Sequence, residues 1–366
     1  MRIFILADAN SIHTKRWVLS LAKQKVDIFL FSFYKNSDNY YSSSLLNVHV
    51  YGCLDKSNNS IIGKIKYLFY LSTLRKKIKE FNPDILHAHY ATSYGLLGAL
   101  SNFHPYIISV WGSDIYDFPR KTILHSRVLK YILSNADKVL STSHVMANET
   151  CKYIDKNVKI TPFGVDTSLF RKVDFIDINA DYTKMIIGNV KSLSYKYGID
   201  ILIRAFDIVS KKNLHIDLEL VIVGEGPDKN QLKELTVSLG ISNKVYFVGR
   251  VDNNILPTYY NRFLVAVSPS VLNESFGVVA VEAMACECPV VTSDADGFTE
   301  VVEDGQTGFI VPKKDVEATA KAIQKFIDEP DLRATMGKKG RERVLALYDW
   351  NDNVRTMLEI YNEILK

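Results

Sequence analysis

Residues 273–291, NESFGVVAVEAMACECPVV, hold the side chains best placed by type and spacing to do chemistry. Glu274 and Glu282 stand eight positions apart, with Phe276-Gly277 between them and small apolar residues leading to Pro289. Ahead of them residues 263–270, FLVAVSPS, are a continuous apolar run ending in Ser-Pro-Ser, the pattern of a strand buried on both faces of a parallel sheet. Residues 289–293 read as the next strand, so the unit is strand, loop, helix, strand. Gly277 lets the backbone come close at the start of that helix. There the amides of Phe276, Gly277, Val278 and Val279 have no partners within the helix and together attract an anion. Glu274 then lies in the loop and Glu282 about one and a half turns inside the helix, at roughly 1.5 Å of rise per residue. One carboxylate faces the mouth of the sheet while the other reaches past the anion.

Two carboxylates could also serve as the acid and base of a glycoside hydrolase, which needs them roughly 5 to 9.5 Å apart across a sugar. Commitment of one of them to a helix that bears an anion site argues against that use. The arrangement instead resembles the E-x7-E motif of retaining GT-B glycosyltransferases. The Ser-Pro-Ser strand end, the Phe-Gly turn and the EAMA helix are similar to glycosyltransferase family 4, of the group 1 type. The resemblance implies an α/β GT-B fold, with two Rossmann-like doubly wound domains facing across a cleft. It also implies that Glu274 contacts the hydroxyls of the donor sugar, that Glu282 holds the ribose and that the intervening amides bind the pyrophosphate. Residues 185–209 are similar to the segment in which the family carries an Arg and a Lys that clamp the diphosphate. Lys191 falls at the Arg position and Lys196 at the Lys position. A lysine neutralises phosphate as a point charge but lacks the bidentate fork of a guanidinium. Residues 245–251, VYFVGRV, resemble the strand whose end meets the nucleobase, which implicates Arg250 and Val251.

These residues need elements to position them, and 366 residues are more than one core usually holds. The resemblance divides the chain into residues 1–166, an acceptor-side domain to which a last helix at 351–366 returns, and residues 167–350, the donor domain. Charge is uneven in the same sense: residues 1–170 carry a net +9 and residues 171–366 a net −5. A basic first half suits an anionic surface or ligand. It opens as strand, helix, strand, and His13 and Arg16 lie beyond the first strand, where doubly wound sheets bind ligands. Residues 107–119, IISVWGSDIYDFP, resemble the HGxD segment of the family, with Asp114 matching and Trp111 where His is usual. Trp111 offers an indole N–H and a stacking face. His87 and His89 resemble the family's H-x-H; no third ligand accompanies them, so a metal site is not expected. Residues 61–81 alternate apolar side chains with six Lys or Arg, as would a helix lying on an anionic membrane or a core helix with a solvated basic face.

The expected activity is therefore retaining transfer of a Gal, Glc, GalNAc or GlcNAc type sugar from a UDP-sugar. The acceptor would be a polyprenyl-diphosphate-linked saccharide of surface-polysaccharide, O-antigen-like, assembly. Glu274, Lys191, Lys196 and Asp114 form the catalytic group, and His13, Arg16 and Trp111 the acceptor side. No metal is expected, because cationic side chains and helix amides supply the positive charge; Asp294-Ala295-Asp296 spells D-x-D but stands at the family's Gly-rich loop. The alternatives are a nucleotide-sugar 2-epimerase, for which no separate base is apparent, and a non-catalytic nucleotide-sugar binder. The chain begins directly with a strand and has no run of about 18 apolar residues. A cytoplasmic protein follows, peripheral on the inner face of the membrane, with scattered reduced cysteines and no nucleic-acid partner.

Overall fold

The computed structural model describes residues 1–36, 40–41, 47–54, 67–173 and 184–366. They form two compact units, residues 1–162 with 352–366, and residues 163–351.

The first unit is built on seven parallel strands: β1 (Arg2–Leu6), β2 (Asp27–Tyr34), β3 (Val48–Leu54), β4 (Ile85–His89), β5 (Tyr106–Val110), β6 (Lys138–Ser141) and β7 (Val158–Ile160). Their order is β3-β2-β1-β4-β5-β6-β7. Helices on both faces explain the uninterrupted apolar strands, and Ile3, Phe4, Ile5 and Leu6 expose no surface at all. The strand order reverses between β1 and β4, which opens a crevice at their carboxyl ends. Helix Ile12–Lys23 follows β1 and buries Trp17, Val18 and Leu21, one stripe at helical spacing. Ser143 caps helix His144–Cys151 by accepting the Met146 amide at 3.1 Å.

The last helix, Trp350–Ile364, contributes Tyr361 to this unit. The Tyr361 hydroxyl meets His87 Nδ1 at 2.7 Å, while His87 Nε2 meets the Ser109 hydroxyl at 2.8 Å. Burial holds the His87 ring well below its usual range, so it is neutral, with one nitrogen donating and the other accepting.

The basic stretch at 61–81 does not form one amphipathic helix through its described part. Residues 61–66 lie outside the described residues, Tyr67–Tyr70 is a 3₁₀ turn, and the α-helix runs Leu71–Phe81. Leu74, Ile78 and Phe81 make its buried side, whereas Leu68 and Phe69, expected on the apolar face, are exposed, Phe69 to 77%. The tighter three-residue period of the 3₁₀ turn takes these two out of register with the α-helical stripe. Part of the basic face is spent on the protein: Lys77 pairs with Glu80, and Arg75 donates to the Leu100 carbonyl at 2.7 Å.

The second unit has six parallel strands, β8 (Met185–Val190), β9 (Leu218–Val223), β10 (Val245–Gly249), β11 (Phe263–Ser268), β12 (Val290–Ser293) and β13 (Gly308–Val311). Their order, β10-β9-β8-β11-β12-β13, reverses between β8 and β11. Helix Val278–Ala285 connects β11 to β12, so the glutamate segment sits beside that reversal.

Candidate active site

Lys191 follows β8 and Glu274 follows β11, so they reach the reversal point from its two sides. Lys191 Nζ lies 2.9 Å from Glu274 Oε1, with both side chains 13% exposed. The Ser270 hydroxyl donates to the same oxygen at 2.7 Å, and the Ser293 hydroxyl donates to the Ser270 carbonyl at 2.7 Å, which fixes the strand end. The ammonium groups of Lys191 and Lys196 each lie 4.6 Å from the ring centroid of Tyr197, so one aromatic ring gathers two cations. Ser270 and Tyr197 carry no functional expectation from sequence. The only signals were a polar strand end after FLVAV and a tyrosine beside Lys196.

Helix Val278–Ala285 starts at Gly277, whose φ of 107° is left-handed. The Ala280 amide returns to the Gly277 carbonyl at 3.0 Å, so the amides of Gly277, Val278 and Val279 precede the helix's own bonding. Phe276 is buried against Phe163 and Tyr348, which leaves only its backbone to face a ligand. A Cβ at residue 277 would approach a Phe298 ring carbon to 2.7 Å. Gly277→Ala is therefore expected to cost about 2 kcal/mol in urea unfolding, through left-handed strain and crowding together. An unchanged unfolding midpoint would contradict this account of the turn.

Glu282 is buried and accepts the Tyr260 hydroxyl at 3.0 Å. Burial, and then the Glu282 charge, push the Tyr260 phenol well above its usual range, so it remains a donor. Arg250 and Val251 lie past the end of the edge strand β10. Three strand spacings separate β10 from β11, about 14 Å at about 4.8 Å each. A ligand touching all the named residues would thus lie extended along the carboxyl ends of the sheet. Asp294 Oδ1 accepts the Lys313 amide at 2.9 Å, and among the described residues no group of three His, Cys, Asp or Glu could hold a metal.

In the first unit the rings of His13 and Trp111 lie 5.9 Å apart, those of Trp111 and His89 4.8 Å, and those of His89 and His87 4.6 Å. Burial, then the Arg16 charge, lower the pKa of His13 to about 4; burial, then His13, lower that of His89 to about 3. These rings are neutral at neutral pH. They offer hydrogen bonds and faces, while Arg16, one turn along from His13, carries the positive charge of that helix face.

Asp114 requires correction. It is fully buried, and its carboxylate accepts the amides of Gly112 at 2.7 Å, Ala91 at 2.8 Å and Trp111 at 3.2 Å. A carboxylate spent on three amides and closed to solvent holds two loops together and, in this structure, has no open face for substrate, so the structure supports a positioning role and not the catalytic one expected. Burial raises its pKa against the opposing pull of these amides.

Residues 170–343 match the family model described as glycosyl transferases group 1, and residues 2–143 match that described as glycosyl transferase 4-like. Over 306 residues the chain is 25% identical to N-acetyl-alpha-D-glucosaminyl L-malate synthase of Bacillus anthracis, covering 81% of this chain and 78% of that one. It is 30% identical over 253 residues to the capsular polysaccharide biosynthesis glycosyltransferase CapM of Staphylococcus aureus, covering 64% and 65%. Among solved structures it is similar to Anabaena HepE in complex with UDP-glucose, at a TM-score of 0.81 and 20% identity over 99% of this chain and 100% of that one. The fold is GT-B, and the chain belongs to the glycosyltransferases of the group 1, family 4-like type. It is a sugar transferase.

Proposed function

We propose that this glycosyltransferase moves a Gal, Glc, GalNAc or GlcNAc type sugar from a UDP-sugar, with retention, to a lipid-linked saccharide of surface-polysaccharide assembly. One observation carries the donor half: Lys191, Lys196 and Glu274 converge at the strand reversal of the second unit, beside the amide end of helix Val278–Ala285. When the glycosidic bond opens, the leaving diphosphate gains negative charge and the sugar becomes oxocarbenium-like. Two ammonium groups and the helix amides favour that leaving group more in the transition state than in the ground state. Glu274, fixed by Ser270, orients sugar hydroxyls. Glu282, fixed by Tyr260, holds the ribose, and the backbone at Arg250 and Val251 meets the base. Retention follows from front-face attack in which the departing phosphate oxygen takes the acceptor proton, and these cations make a metal unnecessary. The UDP-glucose in HepE supports the donor class, and CapM supports the polysaccharide context. No helix of the described residues is long and apolar enough to cross a membrane. The basic first unit is then the acceptor side of a cytoplasmic enzyme peripheral on the inner membrane face.

A thermal-shift panel of UDP- and GDP-sugars tests the donor, since a ligand that binds the native state stabilises it by mass action. UDP-sugars are expected to give the larger shifts. Glu282→Ala is expected to weaken donor binding, by about tenfold for a lost charged hydrogen-bond partner, whereas Glu274→Ala chiefly lowers turnover. The reverse pattern would overturn the assignment, and conversion of a UDP-sugar to its epimer without acceptor would overturn the transferase mechanism.

A further inference from the structure

The carboxyl ends of β4 and β5 open on a cavity of about 450 Å³, a size usual for small-molecule sites. Its lining joins apolar and polar groups. Leu96, Leu97 and Val128 are apolar, with Thr92 and Ser93 beside the leucines. Tyr90 and Ser113 hydrogen-bond to each other through their hydroxyls, and Lys121 and Asp117 supply one charge of each sign. Tyr90 stands at this cavity with a φ of +83°, unusual for an aromatic residue. Its amide donates to the Ser109 carbonyl and that of Ala91 to buried Asp114, so the strained corner is held from both sides.

Apolar residues extend beyond the lining. Leu68 lines the cavity and is 44% exposed, and Phe69 beside it is more exposed still. Leu124 lies one turn ahead of Val128 on the same face of helix Ile123–Asn135, and it and Ile123 are 68% and 76% exposed. Four large apolar side chains flanking an apolar pocket suit a hydrocarbon longer than the pocket itself. A free lysine-sized cation at the rim, within a half of the chain that carries a net +9, suits a phosphate. Hydroxyls and a carboxylate suit sugar hydroxyl groups.

We propose that this cavity seats the hydrocarbon next to the phosphate in a phosphate-linked lipid, with Lys121 against the phosphate and Tyr90, Ser113 and Asp117 toward the saccharide. The saccharide rests on the transferase reading above; seating of the phosphorylated hydrocarbon needs neither donor nor turnover. The probe is farnesyl phosphate below its micellar concentration, titrated calorimetrically into the full chain, with farnesol and methyl phosphate as tail-only and head-only arms. Saturable binding of one farnesyl phosphate is expected. Val128→Trp, which fills the cavity from a half-buried position, is expected to weaken it about tenfold or more. Lys121→Glu, at an exposed position that leaves the fold alone, is expected to weaken farnesyl phosphate about tenfold and leave farnesol unchanged. Undiminished binding in both variants would overturn the proposal. So would binding only to vesicles containing anionic phospholipid, equally in the native protein and in Val128→Trp, which would mark a membrane-facing surface instead. A missing UDP-sugar thermal shift with farnesyl phosphate binding intact would defeat the donor reading alone.

Discussion

Lys191→Ala is expected to lower kcat by about 10²–10³-fold, the usual loss when one preorganised group facing a developing charge is removed. Lys191 and Glu274 form a close pair in a site only 13% exposed, so neither charge is strongly screened. In the proposed donor complex the ammonium would turn to the diphosphate, freeing Glu274 toward the sugar. Without Lys191 the carboxylate keeps the Ser270 hydroxyl but meets the incoming diphosphate as a like charge. Turnover and donor affinity should therefore both suffer, turnover more. Lys191→Arg restores the charge and adds a fork for phosphate, so it should recover most of the activity. The double variant Lys191→Ala with Glu274→Ala tests the pairing. Its loss should fall well short of the product of the two single losses, because residues in contact do not act independently. Multiplicative losses would refute the pairing, and a Lys191→Ala change confined to KM would remove Lys191 from the chemistry.

What the sequence made legible follows from the range of the forces involved. Parallel strands buried on both faces are written as apolar runs, so FLVAV could be placed as a strand from its residues alone, whereas strand order, and with it the reversal point of each sheet, depends on pairing between distant segments. Gly277 was visible because a helix start where the backbone comes close suits a residue without a Cβ; the Phe298 ring above it was not. Partnership across the sheet was not visible. Ser270 and Tyr260 reach the two glutamates from four and 22 residues away, and nothing in their local spacing encodes which carboxylate oxygen they hold. The exposure of Leu68 and Phe69 was hidden for a related reason: a helical stripe drawn through residues 61–81 assumes one period, and a 3₁₀ turn changes it. Asp114 shows the deeper limit. Its match to a motif identifies the position, but whether a carboxylate faces a substrate or its own backbone depends on three amides supplied by two separate loops.

That distinction can be measured. Asp114→Asn keeps the size and one acceptor oxygen but replaces the other oxygen by a donor, aimed at an amide that also donates. Either the Ala91 amide or the Gly112 amide then loses its partner in a fully buried place. The expected cost is about 3 kcal/mol, a lost charge-assisted bond together with an unsatisfied buried donor. For a unit of this size that lowers its melting temperature by about 10 °C. The affinity for a UDP-sugar, read by calorimetry at a temperature where the variant is folded, should be unchanged, because the proposed donor residues belong to the other unit. Turnover should fall only as far as the corner carrying Tyr90 loosens, and a lower assay temperature should recover part of it. If Asp114→Asn instead abolished turnover at native stability, the carboxylate would be acting on substrate after all, and its three amide bonds would have to open during the reaction.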